Sequence, residues 1–590
     1  MRKQLNKLVA LLLIGIMTVS VLPSSSFAAV GTGEKAVASR RIGQVTLYQD
    51  GALSDAYLEG DWTDQYTVPE RGTIEGDLYW GMKDLEDWFS LADYPLTIEE
   101  AGEYFQRVIN SNPDLFYVSG NLSYYSLDYC VNCDGFVYDR GNGYWAFVDS
   151  LVPDLDTGRA WIYFSNAPCN HNETHKHYEA LHTLVPQYIT NNKNQISSMK
   201  LKFDAAVDKA LAGIDDNMSG LEKALYCHDY IVKSNNYDYE NFTHDQMYPQ
   251  NPTTPNSDHS AYGALVNRIS VCDGYALAYS YLLQRCGIET RLVVSSEMGH
   301  AWSAVKLGEN WYFVDCTGDD PIWDYSNANS SDRYDYVFHD KFLMSAEQLA
   351  KTEYSNGKYR KWTQADINDK ANDTTYDNAI WKDIYDEQGN MLQWGVVNEY
   401  NYCDGYWYYL DDYSYLIMRT DDPEKRGEAF SSVILNAYDE TGNKMHLYGK
   451  VSVYTPSKTM YVSTADKIYA IDLTGVKEDE VYLSFPNYDP SSSKGYYGLT
   501  VIDDYLYYGT ANDPDDKPKL TSIYLGEVKL GDLNNNGKLD SLDALAILDY
   551  VAAGKTDPNE YPLANVDGDK KIDALDALAV LDIVAAGGGI

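Results

Sequence analysis

One pattern is written twice near the C-terminus: "DLNNNGKLDSLDALAILDYVAAGK" starts at Asp532 and "NVDGDKKIDALDALAVLDIVAAGG" at Asn565, 33 residues later. Each copy is an oxygen-rich loop followed by a helical run. The loops have the spacing by which a hard cation such as Ca²⁺ collects about six to eight oxygens, from positions 1, 3, 5, 7, 9 and 12. Loop one offers Asp532, Asn534, Asn536, the carbonyl of Lys538, Asp540 through water, and Asp543, with Gly537 at the turn position. Loop two offers Asn565, Asp567, Asp569, the carbonyl of Lys571, Asp573 and Asp576. It has one charge fewer at its first position and carries Lys570 where glycine is expected. Two bound calcium ions are therefore predicted.

After the loops, Leu542, Leu545, Leu548 and Val551, and again Leu575, Leu578, Leu581 and Val584, recur every third residue and give each copy a similar apolar face. This duplicated loop–helix unit with Asp at position 12 resembles a type I dockerin over 528–590. The resemblance implies a small all-α calcium-binding module with paired EF-hand-like loops, whose partner is a cohesin module of a cellulosome scaffoldin. It also makes Ser541–Leu542 and Ala574–Leu575 the recognition positions, and the near-symmetry lets either copy face the partner.

The whole chain of 590 residues has room for about three to five domains. Its first 28 residues, basic at Arg2, Lys3 and Lys7, apolar from Leu8 to Leu22, and small at Ser26 and Ala28, read as a secretory signal peptide, which places the mature protein outside the cell, on a cellulosome or cell-surface scaffold. With 46 Lys and Arg against 88 Asp and Glu, the net charge of −42 repels phosphate backbones and anionic lipid, so neither nucleic acid nor membrane is expected as a partner.

Residues 29–200 read as an α+β region, with a helical stretch around "LTIEEAGEYFQRVINSNP" and aromatic strands turning at Gly141-Asn142-Gly143. From Phe203 to Asp238 Ala and Leu recur at helical intervals. Residues 385–527 carry Tyr-rich runs near 404, 458 and 503, which fit an all-β region, either propeller-like or a sandwich. Exposed tyrosines there could bind sugar, although cross-strand pairing in an ordinary sheet explains them as well.

Eight cysteines are too sparse for a disulfide scaffold in a chain of this length. Cys272 stands at the head of a helix that stops at Gly287, and it could be half of a disulfide, a core filler or a nucleophile. A helix N-terminus lowers a thiol's pKa, but a nucleophile also needs a base and the base an orienter. Two strand-like runs follow, "HAWSAVKL" with His300 and "WYFVDCT" with Asp315, joined by the tight turn "GEN" at 308–310. Position i then pairs near 617 − i, which sets His300 and Asp315 as diagonal neighbours on one face.

With "SAYGALVNRISVCDGYALAYSYLLQRCGIETRLV", "GHAW", "WYFVDCTGDDP" and "YDYVFHDKFLMS", residues 201–355 resemble the transglutaminase-like superfamily, a papain-like α+β core. The resemblance implies acyl transfer on protein amide bonds, with Cys272 as nucleophile, His300 as base, Asp315 as orienter and the Cys272 backbone N–H in the oxyanion hole. The outcome, proteolysis, deamidation or cross-linking, stays open. Cys316 and Gly318 depart from the family pattern and are expected to alter the cleft near Asp319 and Asp320.

"YCVNCDGF" and "APCNHNETHKHY" place Cys130, Cys133, Cys169 and His171 at spacings that could close a structural zinc site, although a disulfide, a short-lived CxxC pair or a solvent-exposed histidine cluster together explain them better. Cys227, Cys286 and Cys403 read as small core residues. The loop 239–259 upstream of Cys272 is a candidate lid. Beside the enzyme reading stand two others: an idle subunit whose β region engages plant cell-wall polysaccharide, and a carbohydrate-active subunit, which would need two placed carboxylates that no motif singles out.

Overall fold

The computed structural model describes residues 68–585 apart from short internal stretches, of which 243–256, 321–336, 360–370 and 431–449 are the longest. The leader 1–28, the turn 141–143, most of the candidate lid, and Cys133, Cys169, His171 and Asn536 lie outside the described residues. The chain divides into two compact units, 1–400 with 420–428, and 401–419 with 429–590.

In the first unit, helix α1 (Ile74–Lys83) precedes the two-residue strand β1 (Phe89–Ser90) and helix α2 (Ile98–Ser111). Then come β2 (Val118–Cys130), β3 (Gly135–Asp139), β4 (Trp145–Asp154), β5 (Arg159–Pro168) and β6 (His177–Tyr188). They form one antiparallel sheet in the order β1-β6-β2-β3-β4-β5.

Helices α3 (Lys193–Leu211) and α4 (Gly220–Ser234) follow. The run of Ala and Leu breaks between them because Ser219 accepts from the backbone N–H of Glu222 while the Glu222 carboxylate accepts from that of Ser219, a capping box that starts a new helix.

Helix α5 (Cys272–Arg285) is the centre of this unit, buried from Cys272 to Gln284. A helix that is apolar all round must be covered all round. Its three fully buried tyrosines each find a partner on a different side: Tyr275 donates to Asp320 at 2.5 Å, Tyr279 to the Ala224 carbonyl at 3.1 Å and Tyr281 to the Ile109 carbonyl at 2.6 Å. Since an unpaired buried hydroxyl costs free energy, these bonds fix which neighbours the helix accepts. Gln284 and Asn110 add bonds to the Asn110 and Thr290 carbonyls, so the N-terminal region packs directly on α5.

Strands β7 (Thr290–Ser295), β8 (His300–Leu307) and β9 (Asn310–Val314) form an antiparallel sheet in the order β9-β8-β7. Ser303 pairs with Val314 and Leu307 with Asn310, so partner numbers sum to 617, the register set by the tight turn at Gly308 and Glu309. Trp302, Phe313, Met344 and Leu349 pack beneath this sheet. A one-turn helix, α6 (Cys316–Asp319), follows directly and is capped by Asp315.

The second unit holds successive antiparallel sheets. One contains Asn401–Cys403, Tyr406–Asp411 and Leu416–Thr420; the next Val451–Tyr454, Thr459–Ser463, Lys467–Asp472 and Glu480–Ser484; the third Gly495–Ile502, Tyr505–Ala511 and Lys519–Tyr524. The Tyr-rich runs are their hairpins: Asp404 and Gly405 both take positive φ in the two-residue turn between Cys403 and Tyr406. Last come two copies of one helix, α7 (Ser541–Ala552) and α8 (Ala574–Ala585). They close on a shared core of Leu539, Ala544, Ile547, Ile572, Ala577 and Val580. Among the described residues no helix is long and apolar enough to cross a membrane.

Candidate functional site

Three elements converge on the head of α5. Cys272 is its first residue, His300 opens β8, and Asp315 follows β9 and caps α6. His300 Nε2 lies 2.9 Å from Asp315 Oδ2, and the carboxylate is fully buried. Asp315 Oδ1 accepts the Gly318 backbone N–H at 2.9 Å, so both of its oxygens are held. With Nε2 donating to a carboxylate, the remaining lone pair of a neutral His300 is on Nδ1, the nitrogen able to take a thiol proton.

The Cys272 side chain is buried and accepts hydrogen bonds from the backbone N–H groups of Ala301, next to His300, and Asp273. These lower its pKa, as a helix N-terminus does, but they do not prevail. Burial pushes the thiol well above its ordinary value, and the Asp273 and Asp315 carboxylates add to the effect. The expected activation by the helix end is thus outweighed, and Cys272 rests as a neutral thiol.

Asp273 has its own histidine: His259 Nδ1 stands 2.9 and 2.8 Å from its two oxygens. His259 lies on a short 3₁₀ turn, Ser257–His259, at the described end of the candidate lid. On the opposite side Asp320 accepts from Tyr275, and Asp319 is fully buried, its oxygens accepting the Lys341 N–H at 2.9 and 3.0 Å. These two acids were expected at a cleft; both are committed to buried hydrogen bonds instead.

A second buried group sits behind Asp319. Nε2 of His228 is 3.2 Å from Asp319 Oδ2 and its Nδ1 is 2.9 Å from Asp229 Oδ1. The same Asp229 oxygen is 3.0 Å from His339 Nε2, while His339 Nδ1 is 2.8 Å from the Val396 carbonyl and the Tyr400 N–H reaches Asp229 Oδ2 at 2.6 Å. Burial alone would lower the pKa of His228, but its bonds to Asp229 and Asp319 outweigh that and raise it to about 9. Burial likewise opposes ionisation of Asp229, yet His339 and His228 bring it down to about 2. The sequence reading missed this group, although its signal was present: "HDY" interrupts the buried face of α4 between Leu225 and Ile231.

The remaining cysteines are mixed. Cys227 and Cys403 are buried and Cys286 half-buried, with Cys227 and Cys286 hydrogen-bonded to each other across α4 and α5. Cys130 is buried at the end of β2, opposite Gly135 and His177; the other three members of the zinc set lie outside the described residues.

In the C-terminal loops, Asp532 and Asp543 are fully buried carboxylates. Asp532 accepts from the Gly537 N–H at 2.8 Å, and Asp543 from Leu533, Asn534 and Asp540. Gly537 turns the loop with φ +76. In loop two Asp576 is buried and accepts from Asp567 and Asp573, and the positive φ falls at Gly568, two positions before Lys570. Buried Asn565 Oδ1 has no hydrogen-bond partner, and an acceptor left unpaired at position 1 is what a calcium ion would satisfy. The donor set is all oxygen and fits the ion at both loops. Leu542, Leu545 and Leu548, and Leu575, Leu578 and Leu581, are exposed, while Val551 and Val584 pack against the shared core.

A helix-borne thiol beside a sheet-borne His–Asp pair, in one unit, and a paired loop–helix module, in the other, define the two classes of site. Residues 206–316 match the model of the transglutaminase-like superfamily, and 530–583 that of the dockerin type I domain. The chain thus contains a transglutaminase-like core and a type I dockerin, a combination of a cellulosome-type extracellular component; type I dockerins bind calcium and dock to cohesins. No curated protein matches the chain. A solved structure titled "Crystal structure of a TGase" is similar at 11% identity over 39% of this chain and 59% of that one, with a TM-score of 0.22.

Proposed function

We propose that the chain is a secreted, scaffold-borne cysteine enzyme that acts on protein amide bonds through Cys272, His300 and Asp315. The observation that carries this reading is the His300–Asp315 bond at 2.9 Å beside a thiol that accepts the Ala301 N–H. Because the thiol is neutral at rest, its proton leaves as it attacks. Sulfur bonds to the carbonyl carbon, His300 Nδ1 takes the thiol proton, and the Cys272 N–H faces the developing oxyanion. The carbonyl then re-forms as the C–N bond breaks, His300 returns the proton to the leaving amine, and a thioester remains. An amine resolves it to a cross-link and water to a hydrolysed product. The dockerin holds the enzyme on a cohesin, with calcium at Asp532, Asn534, Asn536, Lys538, Asp540 and Asp543 and at Asn565, Asp567, Asp569, Lys571, Asp573 and Asp576.

The test is incorporation of a fluorescent primary amine into a glutamine-rich protein, together with product sizing for hydrolysis, by the full chain and by Cys272→Ala. Loss of either activity in the variant supports the reading; no difference across a panel of proteins sinks it. The burial of Cys272 favours a second reading, an idle subunit, and that one predicts no alkylation of Cys272 by iodoacetamide at any pH where the fold is intact.

A further inference from the structure

The group behind the triad has a hydrogen-bond inventory that neutral imidazoles cannot meet while both of its acids are ionised. Both nitrogens of His228 face carboxylate oxygens, of Asp229 and Asp319. Both nitrogens of His339 face acceptors as well, the Val396 carbonyl and Asp229 Oδ1. Carbonyl and ionised carboxylate oxygens only accept, so with both acids ionised each of the four ring nitrogens donates. All four side chains are shielded from solvent, so no water can supply a missing proton. Two imidazolium ions against two carboxylates leave the buried quartet neutral and satisfy every contact, and the flanking histidines hold Asp229 ionised, its pKa brought down to about 2.

The quartet is also attached to the catalytic turn. Asp319 ends the single helical turn that Asp315 begins, and its backbone N–H bonds to the Asp315 carbonyl at 3.1 Å. The Asp315 carboxylate caps that turn through Gly318 with one oxygen and holds His300 with the other. His228 therefore grips the far end of the turn whose near end orients the base.

We infer that His228 and His339 are held as a pair of imidazolium ions, and that His228, through Asp319, is a positioning residue for Asp315 and His300. The positioning role rests on the proposed function; the protonation state does not. The groups facing the quartet are Cys316 on the same turn, Tyr279 on α5, Asp340 and Lys341 ahead of Phe342, and Lys382. Of these Lys382 titrates nearest the same range, at about 8, so its proton must be followed separately.

The competing occupant is a metal. His228, Asp229 and His339 bring three ligand atoms within 4.8 Å of one another, and a divalent cation could replace the two shared protons at equal charge. The observed N–O separations of 2.9 and 3.0 Å are those of hydrogen bonds, shorter than the ~3.3 Å edge of a tetrahedron with zinc bond lengths. They favour the protons.

The experiment is ¹⁵N NMR of the full chain with labelled histidine, its ten histidines assigned with His228→Gln, His339→Gln and His300→Gln, alongside elemental analysis for bound metal. Two rings should show imidazolium nitrogens at pH 7, and that of His228 should lose its proton near pH 9. The Nε2 signal of His300 should shift in the same step, with the Lys382→Met variant separating the lysine's contribution. In Asp319→Asn the His300 signal should move at pH 7, and alkylation of Cys272 should slow on the order of tenfold. Neutral rings at pH 7, or stoichiometric metal bound at His228 and His339, overturn the protonation state. A His300 signal that ignores both the pH 9 step and Asp319→Asn overturns the positioning role. The wild-type titration decides both even if a variant does not fold, and an inactive enzyme that passes both tests would count against the proposed function alone.

Discussion

Gly318 donates its backbone N–H to one oxygen of Asp315, and a Cβ added to Gly318 would come within 2.8 Å of the other. Gly318, one of the two positions at which a departure from the resembled pattern was expected, is thus fitted to the carboxylate bonded to His300. A side chain at 318 must displace a buried carboxylate whose position is fixed from two sides, or else push against Lys341.

Gly318→Ala is therefore expected to damage the site more than the fold. Small overpacking costs about 1–3 kcal/mol of stability, whereas a misplaced orienter lowers turnover by far more than that strain alone. The check is thermal unfolding beside amine incorporation or hydrolysis. A variant that keeps both would show that the Asp315 carboxylate can relocate freely.

Stability should depend on pH through two buried groups acting in opposite directions. His228 is raised from its ordinary 6.5 to about 9, so its contribution is complete below 6.5 and lost as pH rises through 9. The size is on the order of 3 kcal/mol. Burial lowers Lys382 to about 8 against the attraction of Asp377, Asp319 and Asp340, so its charged form destabilises the fold and stability returns between about 8 and 10.5. Urea midpoints from pH 6 to 10.5 should fall and then partly recover. Lys382→Met should abolish the recovery, and a monotonic fall in both proteins would falsify the assignment. On the acid side, Asp229 is stabilising above 3.8 and loses its contribution as pH falls through about 2.

The three hydroxyls around α5 carry a separate cost. Tyr281→Phe removes the donor to the Ile109 carbonyl in a fully buried contact and is expected to destabilise by about 1–3 kcal/mol with no effect on Cys272 reactivity. Tyr275→Phe has the same direct cost, but the Asp320 carboxylate loses a partner beside the catalytic turn, so Cys272 alkylation should change too. Equal behaviour of the two variants in both assays would contradict this division.

The site was legible where chemistry and periodicity act locally. A tight turn of fixed length sets the register of β8 and β9, so the placing of Ser303 against Val314 follows from counting residues. Helix α5 is marked by its run to Gly287, and the C-terminal module by its repeat. What pattern reading missed depends on three-dimensional burial. The helix-end effect on Cys272 could be anticipated, but not the enclosure that overrides it. Asp319 and Asp320 look like surface acids in "TGDDP", and only folding shows that His228 and Tyr275 wait for them. His259 and His339 carry no local signal at all, since their carboxylates are 14 and 110 residues away.

The C-terminal module should fold with its metal, and its two loops should differ. Its shared core is small, so the buried carboxylates Asp532, Asp543 and Asp576 weigh heavily when no cation offsets them. A chelator is expected to reduce helicity and abolish cohesin binding, while calcium at about 100 times its dissociation constant adds about 2.7 kcal/mol per site. Loop two is expected to be the weaker although it offers four ligand carboxylates to loop one's three, because its turn glycine is displaced to Gly568 and its first ligand is the uncharged Asn565. Asn565→Asp adds a charge at an acceptor that has no partner, and should tighten the weaker site on the order of tenfold while leaving loop one unchanged. Calorimetric titration of the full chain resolves the two sites. If the tighter site were the one to respond to this substitution, the order of the loops would be reversed and the glycine position would not govern affinity.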